Sequence, residues 1–271
     1  MSHHKPHKIW FRNYNPFISA SFLTFIFEVK YSISQNYKKI QKGVNEVSIF
    51  AISDLHLSFG VDKPMDIFKG WENHTEQIRA NWCRLVKEND TVVLAGDFSW
   101  GLKIEETLED FKFLESLPGK KILIKGNHDL WWSTARKIKK FWEENNIKSC
   151  EIVFNNCAIA DGYAIAGTRG WFYDEQGTKK VKLREAGRLE TSLKAAIETG
   201  FPVLVFLHYP PAYCESISEE IMSVLKKYEI KRVYHGHIHG AGFNNAISEC
   251  DGVELRLISC DCTNFTPTFI V

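Results

Sequence analysis

The chain has 271 residues, 44% hydrophobic and 25% charged, with a formal net charge of +1. That length holds one large α/β domain or two small ones, and the composition is that of a folded globular chain, not a disordered one. So small a charge gives no global field toward nucleic acid or membrane.

Seven cysteines stand at positions 83, 150, 157, 214, 250, 260 and 262. Their odd number and irregular spacing argue against a disulfide framework. Cys260-Asp261-Cys262 is the one close pair in the sequence, too few thiols for a four-ligand structural zinc site. The thiols are expected to be reduced and mostly packed as small hydrophobes, which favours a reducing, cytoplasmic compartment.

Residues 1–16 are basic and aromatic, and residues 17–27 form an apolar run relieved only by serine and threonine. The run is shorter than the roughly 18–20 residues that span a bilayer, so no membrane span is expected. Its basic-then-apolar order is that of a signal peptide, but no small-x-small cleavage site follows. The better reading is an N-terminal extension, 1–46, poorly ordered or added by a spurious upstream start, ahead of a domain covering 47–271.

From Val47 the pattern becomes regular. Near-continuous apolar runs at 47–53, 91–95, 121–125, 203–207 and 231–234 have the texture of strands buried on both faces. Between them, apolar residues at helical spacing predict helices over 75–88, 104–117, 133–145, 181–199 and 218–228. Ser133 and Ser218 are candidate N-caps, and Pro118-Gly119 is a breaker. Short strands are expected at 152–154, 158–160 and 163–166, with turns at Asn155-Asn156 and Asp161-Gly162, and β structure returns at 253–259 and 268–271. The first half reads βαβαβ and the second more antiparallel. Two sheets packed face to face, with helices outside, would accommodate both.

Each of five buried strands ends on a polar motif: Asp54-Leu55-His56, Gly96-Asp97, Gly126-Asn127-His128-Asp129, His208, and Gly236-His237-Ile238-His239. In open α/β sheets, sites form beyond the carboxyl ends of the strands. In extended chain, residues two apart face one side, so Asp54 with His56, and His237 with His239, can each converge on one ion. Gly96 permits a sharp turn before Asp97. One such motif arises often by chance, as a cap, turn or packed histidine. Together they supply carboxylate, amide and imidazole donors from Asp54, His56, Asp97, Asn127, His208, His237 and His239 for two adjacent metal ions, an arrangement suited to cleaving phosphate esters.

In these motifs and their order the chain resembles the calcineurin-like metallophosphoesterase superfamily, over about 47–271. More narrowly it is similar to a group of small bacterial phosphohydrolases, through Ser58-Phe59-Gly60-Val61-Asp62-Lys63-Pro64 and Gly167-Thr168-Arg169-Gly170-Trp171. The resemblance implies an α/β fold, a four-layer αββα sandwich of two mixed β-sheets. It implies that Asp54, His56 and His239 hold one ion, that Asn127, His208 and His237 hold the other, and that Asp97 bridges them. His128 would face the substrate, protonating the leaving oxygen or stabilising the transition state, with Asp129 orienting it.

Two divalent ions would outweigh the two ligand carboxylates and attract a phosphate, and they would supply a bridging hydroxide near neutral pH. Nitrogen and oxygen donors without thiolate suit manganese, iron or zinc. Protein Ser/Thr phosphatases of this superfamily extend Gly-Asp with Asp-Arg-Gly; here the run is Gly96-Asp97-Phe98-Ser99-Trp100-Gly101. The missing arginine argues against a phosphoprotein substrate.

Among other candidates, Arg169 either clamps the substrate phosphate or is solvated. Lys63 and His74 either reach the pocket or serve the surface and a helix start. Arg136, Lys137, Lys139 and Lys140 read as a solvated helix face, and Trp131-Trp132 as packing. The expected activity is hydrolysis of a small phosphorylated metabolite; a phosphodiesterase or nuclease, or a silent binding scaffold, are the alternatives. Nucleic acid is possible but not indicated, and the sequence leaves oligomeric state open.

Overall fold

Four apolar residues in a row, Ile49–Ile52, form strand β1, buried on both faces as a doubly covered strand must be. This computed structural model describes residues 47–171 and 179–271; the expected extension, 1–46, lies outside the described residues. Beside β1, strands β2 (Thr91–Leu94), β3 (Lys120–Leu123) and β4 (Cys150–Ile152) follow in parallel, and the C-terminal β13 (Thr268–Phe269) closes the other edge antiparallel. Helices α1 (His74–Leu85), α2 (Leu108–Glu115) and α3 (Ala135–Glu144) cover the outer face. Their Ile78, Trp82, Phe111, Leu114, Ile138 and Trp142 pack in one cluster with Phe50, Ile52, Val92 and Leu123 of the strands.

The second sheet contains β5 (Ala158–Ala160), β6 (Tyr163–Thr168), β7 (Val203–Leu207), β10 (Arg232–His235), β11 (Glu249–Cys250) and β12 (Val253–Leu257), in the order β11-β12-β10-β7-β6-β5. A separate hairpin, Ala212–Tyr213 (β8) with Ser216–Ile217 (β9), follows β7. Helices α4 (Lys179–Glu198) and α5 (Glu219–Lys227) back this sheet through Leu189, Leu193, Met222 and Leu225. Between the sheets, Ile49, Ala51, Val93 and Ile122 meet Ile165, Phe206 and Tyr234. The result is the four-layer αββα sandwich.

The second half is less antiparallel than its turn-rich sequence suggests. β6, β7, β10 and β12 run parallel, and only the edge strands β5 and β11 are antiparallel. Parallel neighbours need a crossover of a dozen or more residues, which the segments containing α4 and α5 provide. Boundaries also shift. The helix expected over 104–117 opens as a 3₁₀ turn at Ile104–Thr107. Thr134, not Ser133, caps α3, accepting from the Lys137 N–H at 3.4 Å. All seven cysteines are free, but Cys83, Cys214 and Cys262 are exposed, so the packed-thiol expectation fits Cys250 and Cys260 best.

One buried carboxylate ties the loops after β1 and β2 together. Asp110 accepts from the Phe59 N–H at 2.8 Å and from the Ser99 hydroxyl. Burial pushes its carboxyl up to about 6, against the hydrogen bonds that favour its charged form. A raised acid binds its proton more tightly in the folded chain, so stability falls as pH rises from about 4 to about 6 and then levels off. Asp110→Asn is expected to flatten that limb of the unfolding curve, read by urea titration at pH 4 and pH 7. An unchanged pH slope would reject this account.

Candidate metal centre

The motifs do cluster beyond the strand ends, but not by the geometry expected for extended chain. Asp54 and His56 both adopt left-handed backbone, with φ of 63° and 47°, and Asp97 (53°) and His237 (72°) do the same. Each such turn costs a non-glycine residue on the order of 1 kcal/mol. Neighbouring turns fix them: the Asp54 N–H donates to the Gly96 carbonyl at 2.9 Å, and the His56 N–H to the Asp97 carbonyl at 3.0 Å. The motif glycines make room. Gly96 has φ +99°, and a Cβ there would sit 2.6 Å from His208 Nδ1; a Cβ on Gly236 would sit 2.3 Å from Asp54 Oδ2.

Asp54 lies at the centre, fully buried. Its Oδ1 is 3.3 Å from His239 Nε2 and 3.9 Å from His208 Nδ1. Asp97 Oδ2 lies 3.4 Å from His208 Nε2 and 3.9 Å from His56 Nε2. Asn127 Oδ1 is 2.6 Å from His208 Nε2, and the His237 ring is 5.2 Å from that of His208. Two donor groups are close enough to share an ion each, Asp54/His56/His239 and Asp54/Asp97/His208. Asn127 and His237 adjoin the second through His208.

The charges in this cluster call for a cation. Burial, then the charges of Asp129 and Asp54, raise the Asp97 carboxyl well above the usual range. For Asp54 burial acts the same way, but His239, through its charge and its hydrogen bond, leads the neighbouring groups that outweigh it and hold its carboxyl low. Burial brings His208 down to about 3 and His237 to about 4, and lowers His56, leaving neutral imidazoles. His239 is the exception: despite burial, Asp54 and Asp261 raise it to about 10. His56 Nδ1 is buried without a hydrogen-bond partner. Neutral imidazoles, crowded carboxylates and an amide oxygen fit hard or borderline divalent ions. The Cys260 thiol donates to the Asp54 carbonyl at 3.0 Å and supports this group from behind.

His128 is half-buried and lines the cavity above these side chains. Its N–H donates to Asp97 Oδ1 at 2.7 Å, and its ring lies 4.4 Å from the Trp100 ring and 5.7 Å from His56. Burial lowers its pKa. Asp129, expected to orient His128, instead turns into the protein. Its carboxylate accepts from the N–H groups of Asp97, Phe98, Ser99 and Gly126 and from the Trp131 indole. It clasps the turns that carry Asp97 and Asn127. Asp129→Ala would strand buried donors at roughly 1–3 kcal/mol apiece. The expected loss is about 3 kcal/mol or more in urea unfolding, and a loss under 1 kcal/mol would contradict this role.

The substrate candidates separate. Arg169 stands 3.5 Å from the fully buried Glu185 and over the Trp171 ring at 4.6 Å, so its charge is already engaged. Glu185 also takes Arg188 at 2.7 Å. His74 is buried against Trp71 and Phe265, with its Nε2 left without a hydrogen-bond partner. Lys63 holds its ammonium 4.9 Å from the ring centroid of Trp100, a cavity residue. Trp131 and Trp132 are both buried, as packing residues.

Sequence reasoning missed the C-terminal support. Asp261 Oδ1 lies 2.9 Å from His239 Nδ1, and its Oδ2 accepts from the Gly240 N–H. The Ser259 hydroxyl donates to Asp54 Oδ2 at 2.9 Å. A carboxylate on the far nitrogen of a ligand histidine fixes its ring and raises its basicity. The signal available in the sequence is an acidic residue between two cysteines, Cys260-Asp261-Cys262.

A sandwich with this donor set at its strand ends defines a metal-dependent phosphoester hydrolase. Residues 47–241 match the calcineurin-like phosphoesterase family, and the chain belongs to it. No curated protein matches the chain. Similar solved structures include the protein of unknown function AQ665 from Aquifex aeolicus, at 19% identity and a TM-score of 0.46, covering 83% of this chain and 96% of that one. TT1561 of Thermus thermophilus is 16% identical, with a TM-score of 0.49 over 83% of this chain and 99% of its own. A phosphopantetheinyl hydrolase from Mycobacterium tuberculosis is 15% identical, with a TM-score of 0.44 over 83% and 96%. Among the described residues no helix is long and apolar enough to cross a membrane.

Proposed function

We propose that the protein is a dinuclear phosphoesterase that hydrolyses a small phosphorylated metabolite. The observation that carries this reading is the placement of Asp97 Oδ2 between His208 Nε2 and His56 Nε2, beside an Asp54 common to both donor groups. Asp54, His56 and His239 would hold one ion, Asn127, His208 and His237 the other, and Asp97 both. When bound, the ions supply Lewis acidity and an activated water.

The remaining work falls to the chain itself. His128, open to the cavity, would donate a hydrogen bond to the phosphoryl group; protonated beside the bound phosphate, the imidazolium would pass that proton to the departing oxygen and be left a neutral imidazole. Asp261 keeps the His239 ring turned so that Nε2 faces Asp54. Trp100, stacked on His56 at 4.8 Å, shields that ring from water. The run after Asp97 is Phe98-Ser99-Trp100, with no arginine to grip a phosphoprotein.

The test is hydrolysis of an aryl phosphate monoester and a bis-aryl diester by manganese-loaded protein. Manganese-dependent turnover of the monoester is expected, and chelator should abolish it. Preference for the diester would move the assignment to phosphodiesterase. No turnover of either, with no metal bound on dialysis, would leave only a binding scaffold.

A further inference from the structure

The cavity over the candidate centre is lined largely by apolar side chains. Its volume is about 480 Å³, within the ~300–1,000 Å³ typical of small-molecule pockets. Beside the imidazoles and Asp97 it is lined by Met65, Phe68, Trp71 and Trp100. Three of these four come from the segment between the first motif and α1.

This apolar lining begins at the reaction centre. Trp100 lies 4.4 Å from the His128 ring and 4.8 Å from His56, and Trp71 lies 5.7 Å from His239. The lining is also built in advance. The Trp100 indole N–H donates to Met65 Sδ at 3.3 Å, and the Phe59 N–H is held by the buried Asp110. Two of its polar groups are already engaged: the Trp100 indole by Met65, and the carboxylate of Asp261 by His239 and Gly240. A sugar would find few partners there. Phe68 stands about half exposed at 52%, an apolar ring held in solvent at the mouth.

We propose that the organic group of the phosphoester is apolar, an alkyl or aryl body received by Met65, Phe68, Trp71 and Trp100 directly beside the phosphoryl position. This inference rests on the phosphoesterase reading of the site. It assigns the segment at 58–73 the role of choosing the substrate, while the motif residues act on the phosphate. Lys69, on the rim, favours a body whose far end is neutral or anionic over a cationic one.

Alkylphosphonates, which carry no ester to cleave, isolate binding from turnover. Methyl-, butyl- and octylphosphonate would be titrated into manganese-loaded protein, with tryptophan fluorescence and calorimetry as readouts. Burial of methylenes predicts affinity rising about threefold per carbon over the first few, so roughly 30-fold from methyl to butyl. Phe68→Ser should flatten that series, whereas Ile67→Ser, whose side chain is exposed but does not line the cavity, should keep it. Equal affinity for methyl and octyl, with manganese still required, would overturn the apolar assignment and leave the phosphoesterase reading intact. Tighter binding of a sugar phosphonate than of butylphosphonate would overturn it equally. Absence of manganese-dependent binding at every length would sink both.

Discussion

Asp97→Asn is expected to do two opposite things: to cut hydrolysis by about 10³-fold or more, and to make the metal-free protein more stable. The first follows from losing the carboxylate proposed to bridge both ions, since metal-assisted phosphate chemistry draws several kcal/mol from such a centre and each 1.4 kcal/mol is tenfold in rate. The second follows from the charges. Without a cation, Asp97 is a buried carboxyl crowded by Asp129 and Asp54, which is why its proton is held so tightly. An amide removes that cost and keeps an oxygen for the His128 N–H. Thermal melts in chelator should therefore rise for the variant, while the gain from added manganese shrinks, because a ligand stabilises only the state that binds it. A wild-type rate, or a lower melting point in chelator, would show that Asp97 does not bridge the two ions.

His128→Ala should lower kcat by about 10²–10⁴-fold with bound manganese unchanged. The separation is possible because His128 touches Asp97 through its backbone N–H, which alanine retains, and presents its ring to the cavity. If the ring delivers a proton to the departing oxygen, the deficit should be larger for an alkyl phosphate than for a nitrophenyl ester, whose leaving group needs no proton. An equal deficit on both esters would confine the ring to binding the phosphoryl oxygens. A loss of manganese together with activity would place it among the ligands instead.

The sandwich was legible because its strands are short apolar runs closed by glycine and polar residues. The candidate donors were legible because each stands at the end of such a run. What could not be read was how the chain turns there. The spacing of Asp54 and His56 suggested extended backbone, whereas both are left-handed, held by Gly96 and Asp97 from a neighbouring turn. Arg169 looked open to a phosphate because no local pattern reveals that Glu185, sixteen residues on, is buried beneath it. Asp129 looked like a partner for its neighbour His128, but its acceptors are spent on backbone thirty residues away. The parallel core of the second sheet hid for the same reason: a turn-rich hairpin is local, while a crossover is not.

Asp54 is among the first residues of the domain to leave the ribosome, and its supports are among the last. Ser259 and Cys260 bond to it across 205 and 206 residues, and β13 pairs with β1. The family match stops at 241, short of every one of these supports. Contacts of such sequence separation form late and slowly. A nascent chain therefore carries Asp54, His56, Asp97 and Asn127 for most of its synthesis without the C-terminal residues that brace them. A chain cut after the last histidine would hold all seven donors and still lack the posture to use them.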